Sequence, residues 1–546
     1  MPELSYAHGA SDTPLLGETI GACLTRVATL HPDREAIVSC AQDRRMTYAQ
    51  LDAAVNQVAT GLLARGINAG DRVGVWAPNC LEWMLAQYAT AKLGAILVNV
   101  NPAYRTHELQ YALRQSGVRL LLSAEAFKTS DYRAMIAEVR GQLEGLEDVV
   151  FFGDAAWQQL SDAAIDEAAL AARLASLDCD DQINIQYTSG TTGFPKGATL
   201  THHNILNNGF FVGELCDYDK HDRICVPVPF YHCFGMVMGN LGALTHGACV
   251  VIPAAGFDPH ATLRAVASER CTSLYGVPTM FIAMLADPTF PEHDLQSLRT
   301  GIMAGSPCPS EVMKRVVTDM HMPDVSICYG MTETSPVSTQ TRNGDSLERR
   351  VGSIGRVGPH VEVKIIDPAT GLTLPRGETG ELCTRGYAVM LGYWEEPEKT
   401  AEAKDPVGWM HTGDLATMDD EGYLNIVGRS KDMVIRGGEN VYPREVEEFL
   451  YTHPSIADAQ VIGVPDERYG EELCAWIQLR DGAPALDAEA VRQFCRDQLA
   501  HYKVPRYVTF VSEFPMTVTG KVRKNVMREQ SIEQLGLADA AAVRTA

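Results

Sequence analysis

The chain has 546 residues, several times the usual domain size, so two or more packed units are expected rather than one core. With 46% hydrophobic and 21% charged residues it reads as globular rather than disordered. Its net charge of −23 points away from nucleic acid and from an anionic membrane surface as partners, so an anionic substrate must be held by a few local cations and backbone amides.

Met1–Leu4 shows no basic region followed by an apolar one, so no signal peptide is expected. The 14 cysteines run from Cys23 to Cys495 with no Cys-x-x-Cys pair. That spacing supports neither a zinc site nor a disulfide scaffold, and a reducing cytoplasm is the simpler reading. From Thr47 to about Val337, strand and helix patterns alternate. Arg72–Trp76, Cys80–Lys92 and Ala95–Val98 form a strand–helix–strand unit. Leu120–Ser123 and Ile183–Ile185 are the next strands, and the second leads directly into Tyr187-Thr-Ser-Gly-Thr-Thr-Gly-Phe-Pro-Lys-Gly197. Glycines let this backbone turn with its N–H groups converging, hydroxyls add donors, and Lys196 adds positive charge, so the loop suits a polyphosphate. It is not a Walker A loop, because Phe194 and Pro195 separate Gly193 from Lys196.

Further strands are expected at Arg223–Val228, Cys249–Ile252, Ser273–Tyr275 and Gly301–Ala304, with a helix over Pro309–His321. The apolar stretch Cys225–Pro253 is interrupted by His232, Asn240 and His246, which predicts core strands and a short helix instead of a membrane span. From 351 to 428 short alternating runs such as Val361–Ile365 predict a small antiparallel or barrel-like sheet. After Gly428–Asp432 a new unit begins. Pro443 suits the first turn of a helix burying Val446, Phe449 and Leu450, strands follow at Ala459–Val464 and Ala475–Leu479, and Asp487 caps a helix burying Val491, Phe494 and Leu499. The fold class is therefore α/β: a large N-terminal domain of layered sheets (1–428) with a β-rich subdomain, then a small α+β domain (429–546).

Four more motifs follow the 187–197 loop in order: Tyr329-Gly-Met-Thr-Glu333, Thr412-Gly-Asp414, Gly428-Arg-Ser-Lys-Asp432 and Pro515-Met-Thr-Val-Thr-Gly-Lys521. Taken singly, Glu333 and Asp414 read as loop-capping carboxylates, Tyr329 as a rim aromatic, and Lys521 as one charge in a solvated run with Arg523 and Lys524. Together the set resembles the signature of the adenylate-forming superfamily of acyl-CoA synthetases, peptide-synthetase adenylation domains and luciferases. The runs Arg385–Trp394 and Ile435–Asn440 look most like the medium-chain to long-chain fatty acyl-CoA synthetases.

The resemblance implies two steps, in which a carboxylate attacks the α-phosphate of ATP to give acyl-AMP and pyrophosphate, and the thiol of coenzyme A then displaces AMP. Carried over residue by residue, Thr188, Ser189, Gly190, Thr191, Thr192, Gly193 and Lys196 would hold the phosphates and the departing pyrophosphate. Glu333 would bind Mg²⁺, Thr332 would lie near the α-phosphate, and Gly330 and Met331 would belong to the ATP/AMP-binding site. Tyr329 would stack on adenine next to Gly305 and Ser306, Asp414 would take the ribose hydroxyls, and Arg429 would brace the nucleotide. Lys521 would bridge carboxylate and α-phosphate. A mobile C-terminal domain would pivot at Lys431 and present Gly437 and Gly438 to the pantetheine arm of coenzyme A. His232, Phe234, Met236 and Met303, together with Met238, would line the acyl pocket. The implied partners are small molecules (a fatty acid, ATP and coenzyme A), with peripheral membrane contact and a monomer or homodimer left open. An aryl- or branched-acid ligase and a nucleotide-binding protein without catalysis are the alternatives.

Overall fold

Helix starts in this chain follow capping chemistry visible in the sequence. Thr47 and Gln50 close a reciprocal capping box on helix Tyr48–Ala64, and Thr201 and Asn204 do the same for His202–Leu215. Asp258 caps Pro259–Ser268, where proline occupies the first turn, and left-handed Gly94 ends Leu81–Leu93. The computed structural model describes residues 3–538 except 189–194, 307, 430, 431, 437, 438, 467, 485, 497 and 518–520. Most of the phosphate loop, the pivot Lys431 and the pair Gly437 and Gly438 therefore lie outside the described residues.

Two large mixed sheets dominate. A seven-stranded sheet runs, edge to edge, through Gly392–Tyr393, Lys196–Thr201, Gln182–Thr188, Ile96–Asn99, Arg72–Trp76, Leu120–Ser123 and Asp148–Phe151. A nine-stranded sheet has Ser273–Gly276, Thr300–Ala304 and Asp324–Gly330 as parallel neighbours, with Val337–Gln340 added antiparallel. Helix Leu81–Leu93 is buried on every side except at Glu82, as expected of a helix enclosed by core. The π-helix Phe234–Leu241 touches both sheets, through Asn99 Nδ2 on Met236 Sδ and through Tyr275 Oη donating to the Met238 carbonyl at 3.2 Å. The predicted strand at Arg223–Val228 stops at Cys225, since the backbone beyond it turns to carry the π-helix.

The antiparallel sheet expected over 351–428 contains Val361–Ile366, Gly380–Gly386, Met410–Met418 and Leu424–Arg429, and it gains Tyr6–His8 from the far end of the chain. Two short strands of the same segment join other sheets: Arg356–Val357 extends the nine-stranded sheet and Gly392–Tyr393 extends the seven-stranded one. These crossings fix the small sheet against both large ones. The C-terminal unit builds a sheet on the long hairpin Ile456–Asp466 and Gly470–Leu479. Helix Pro443–Tyr451 buries Val446 and Leu450, whereas Phe449 stacks on Phe494 at 4.7 Å in a half-buried position. Leu499 is likewise half-buried, because the helix Ala488–Arg496 before it covers only one face of the sheet.

Candidate active site

Strand Asp324–Gly330 delivers Tyr329 to the point where the large and small sheets meet. Its hydroxyl donates to Asp414 Oδ2 at 2.7 Å, and Arg429 Nε donates to Asp414 Oδ1 at 3.1 Å. Asp414 and Arg429 face each other across the register of Met410–Met418 and Leu424–Arg429, so their pairing is built into the hairpin. Asp414 is 8% exposed. Its charge is the main cause that holds Arg429 firmly protonated, and burial followed by that same charge keeps the Tyr329 phenol neutral. Each carboxylate oxygen keeps a second lone pair for a ligand hydroxyl.

Gly330 ends the strand because nothing larger fits, a Cβ there lying 1.8 Å from the Pro336 carbonyl oxygen. Met331 then donates its N–H to Thr334 Oγ1 at 3.1 Å and opens the short turn Thr332–Thr334. Thr332 and Glu333 are both buried within it. The Oε1 of Glu333 accepts the Tyr393 hydroxyl at 2.8 Å, and its carbonyl accepts the Met390 N–H at 2.9 Å. Among the described residues no hydrogen bond engages its second oxygen, so a hard cation has a fixed oxygen donor there. Mg²⁺ fits this side chain, which supplies one carboxylate and leaves the remaining ligands to phosphate and water.

Tyr393 received no role from the sequence, although it lies inside the run Arg385–Trp394. It sits opposite Ala198 on the strand that Lys196 begins, and Lys196 Nζ lies 4.8 Å from its ring centroid. Thr188 pairs directly with Lys196 across the neighbouring strand, so the phosphate loop enters and leaves from adjacent rungs. Pro195, its last described member before Lys196, accepts the Tyr111 hydroxyl at 3.2 Å. The available signal was an aromatic hydroxyl in a strand-like Gly-Tyr-Trp run, which becomes meaningful only once that run is seen to pair beside Lys196.

Lys521 enters the same space from the C-terminal unit. A Cβ built on Gly305 would be 4.0 Å from its Cε, and Gly305 adopts φ +91°. Ser306 follows that turn. Burial first, and the Arg429 charge second, push the Lys521 ammonium below the usual lysine range, while Cys233, Asp414 and Glu333 pull it back. The backbone around it is pinned by a two-way bond with Thr517, whose Oγ1 accepts the Lys521 N–H at 3.0 Å and whose N–H donates to the Lys521 carbonyl at 2.7 Å. Its basic neighbour has other work: Lys524 Nζ binds Glu447 Oε1 at 2.6 Å inside the C-terminal unit. The run 521–524 is thus one site lysine followed by a structural one.

His232 lies close enough to this centre to feel the Lys521 charge. Its Nδ1 accepts the Phe234 N–H at 3.2 Å, which leaves its proton on Nε2. Burial, then the Lys521 charge, pushes its pKa down to about 3, so the ring is neutral. Cys233 Sγ lies 3.7 Å from Thr332 Oγ1, and burial raises this thiol to about 12. Phe234 stacks on Tyr275 at 5.6 Å. Met236, Met238 and Met303 are enclosed core side chains. A cavity of about 330 Å³ opens beside Tyr231, bounded by Lys128, Phe257 and Met280, and the lysine-bearing loop covers it through Met516 and Thr517.

The sequence profile of AMP-binding enzymes matches residues 24–394, and that of the AMP-binding enzyme C-terminal domain matches 445–521. The Bacillus subtilis protein YngI, which carries the name of an acyl-CoA synthetase, is 48% identical over 96% of this chain and 99% of its own length. The mitochondrial medium-chain acyl-CoA ligase ACSF2 of Danio rerio is 45% identical, covering 98% of this chain and 91% of its own. Among solved structures, the anthranilate CoA ligase AuaEII bound to anthranoyl-AMP superposes with a TM-score of 0.87 at 29% identity, covering 96% of this chain and 99% of that one.

Proposed function

The chain belongs to the AMP-binding enzymes and is an ATP-dependent acyl-CoA ligase working through an acyl-adenylate, and we propose that its acid is a medium- to long-chain fatty carboxylate. It uses ATP, Mg²⁺ and coenzyme A. The observation that carries the residue assignment is convergence: Lys521 from the C-terminal unit, Asp414 and Arg429 from the small sheet, Glu333 from the nine-stranded sheet and Lys196 from the seven-stranded one surround one space.

A fatty carboxylate is ionised at neutral pH, so adenylation needs no general base. Its difficulty is bringing one anion onto another, and positioned cations reduce that cost. Asp414 takes the ribose hydroxyls while Tyr329 and Arg429 hold its orientation. The wall at Gly305 and Ser306 leaves room for the base. Lys196 steadies the phosphates that leave, together with Thr188 and the loop 189–193. Glu333 is the protein ligand for Mg²⁺, which supplies charge neutralisation to the phosphates when bound. Lys521 sits between acid and α-phosphate. His232 offers its Nε2–H to the acyl oxygen as a neutral donor. The 429–546 unit then turns about Lys431 to withdraw Lys521 and present Gly437 and Gly438 to coenzyme A, a motion that also lifts Met516 and Thr517 off the cavity beside Tyr231.

Pyrophosphate release measured over straight, branched and aryl acids, with and without coenzyme A, tests the reading. The expected result is turnover that rises with straight-chain length. The structural likeness to an anthranilate ligase supports the aryl alternative, and turnover confined to aryl acids would replace the fatty acid by that class. Among the described residues no helix is long and apolar enough to cross a membrane. A cytoplasmic enzyme, monomeric or dimeric, is the accompanying proposal.

A further inference from the structure

Three donor types that suit a transition metal meet in the small sheet, away from Glu333. Glu381 and Cys383 lie two residues apart on strand Gly380–Gly386 and so share a face, and His411 is the direct cross-strand partner of Cys383 on Met410–Met418. His411 Nδ1 is 3.1 Å from Glu381 Oε2 and 3.6 Å from Cys383 Sγ, and the three donor atoms all lie within 4.8 Å of one another. We propose that Glu381, Cys383 and His411 form a binding site for Zn²⁺, with a fourth position open to water.

The spacing fits that ion. Zinc bonds of about 2.0 Å to oxygen and nitrogen and about 2.3 Å to sulfur, at tetrahedral angles, require separations of roughly 3.3 Å for O–N and roughly 3.6 Å for N–S. The O–N pair at 3.1 Å is slightly short and the N–S pair at 3.6 Å matches, and the Glu381 and Cys383 donors, within 4.8 Å of each other, close to roughly 3.6 Å to complete the triangle. Thiolate, imidazole and carboxylate together select zinc over Mg²⁺, which prefers oxygen alone, so the Mg²⁺ needed with ATP does not compete. The His411 side chain is 33% exposed and gives a path in, whereas Cys383 lies beneath it against Trp409 and Ile366. On binding, a Zn–S bond forms, the S–H bond breaks, and the proton leaves to solvent.

The site is wired to the nucleotide. Glu381 also accepts the Gly413 N–H through Oε1 at 3.1 Å, and Gly413 adopts φ +70° in the turn that carries Asp414. Zinc taken through Oε2 leaves that bond in place and staples both ends of the turn, so metal binding should stiffen the Asp414 position. This coupling rests on Asp414 being the ribose ligand; the binding itself does not.

The test is titration of the full-length, chelator-treated protein with Co²⁺, which occupies zinc sites and reports thiolate ligation by a near-ultraviolet charge-transfer band, followed by Zn²⁺ displacement. One equivalent of Co²⁺ giving this band, bleached by Zn²⁺ and lost in Cys383→Ser, is expected. Glu381→Gln keeps an oxygen for Gly413 and should weaken the metal by at least roughly tenfold. Zinc should also raise the melting temperature of the wild type and leave that of Cys383→Ser unchanged. Absence of the band, or a band that survives Cys383→Ser and disappears in Cys179→Ser at the exposed cluster Asp178, Cys179 and Asp180, overturns the site. A zinc-bound protein with unchanged ATP KM overturns the coupling to Asp414 and leaves adenylation itself untouched.

Discussion

Tyr393 links Glu333 to Lys196: its hydroxyl donates to Glu333 Oε1 at 2.8 Å, and its ring centroid lies 4.8 Å from Lys196 Nζ. One side chain therefore orients the carboxylate proposed to bind Mg²⁺ and cushions the lysine proposed to hold the phosphates. Tyr393→Phe removes only the hydroxyl. A hydrogen bond to a charged group is worth about 1.5–3 kcal/mol, so kcat/KM for ATP should fall roughly 10- to 100-fold, with more Mg²⁺ needed for half-saturation. Tyr393→Leu also removes the ring and should lose more. Wild-type Mg²⁺ dependence in Tyr393→Phe would show that the hydroxyl does not orient Glu333.

The role proposed for Lys521 separates the half-reactions. Lys521→Ala should reduce acyl-AMP formation by about 10²–10³, the usual cost of one preorganised charge contact, while thioester formation from supplied acyl-AMP stays largely intact. Equal loss of both steps, measured by single turnover, would remove Lys521 from the adenylation step. The same substitution should raise the melting temperature slightly. Burial and Arg429 lower the lysine's folded-state pKa, so between that value and the unfolded one the unfolded chain holds more protons. The charged lysine is thus a burden on the docked state at neutral pH, tolerated for function.

That lowered pKa also sets a pH limb. In the proposed role Lys521 acts while protonated, so adenylation should be full at neutral pH and fall as pH rises through a value below the ordinary lysine figure of about 10.4. Lys521→Arg keeps its charge at every accessible pH, and its lower activity should show no such limb. An alkaline limb of unchanged position in Lys521→Arg would assign it to another group.

The contrast between Lys521 and Lys524 shows how far the residues could be read in advance. Both are lysines in one basic run, and only the structure separates the one beside Gly305 from the one bound to Glu447. The parallel strands were legible because they are short apolar runs between helices, and Arg72–Trp76, Leu120–Ser123 and Cys249–Ile252 match their expected bounds. Sheet membership was not legible, since Tyr6–His8 pairs with Val361–Ile366 across more than three hundred residues. Tyr393 and the donors Glu381, Cys383 and His411 escaped for the same reason. Their meaning comes from cross-strand neighbours, whereas metal-ligand spacing along a chain is recognisable only where cysteines lie close in sequence.

Gly330 is required by close approach. A Cβ there would stand 1.8 Å from the Pro336 carbonyl oxygen, and backbone cannot move aside as a flexible side chain can. Gly330→Ala must therefore shift the chain between Tyr329 and Glu333, at a cost of about 1–3 kcal/mol typical of overpacking. The expected result is a lower melting temperature together with a raised KM for ATP. A stable variant with normal ATP binding would show that this turn adapts.

His232 gives the last prediction. The Phe234 N–H at Nδ1 and a pKa pushed down to about 3 by burial and then by Lys521 together fix a neutral ring with its proton on Nε2. A group that stays neutral from pH 5 to 8 contributes no titration there, so neither half-reaction should show an acid limb near the ordinary histidine value of about 6.5. Its proposed work is donation, and His232→Asn, which keeps an N–H donor, should retain more activity than His232→Ala. An acid limb near pH 6.5 that disappears in His232→Asn would mean that the ring charges during turnover and acts as an acid–base group instead.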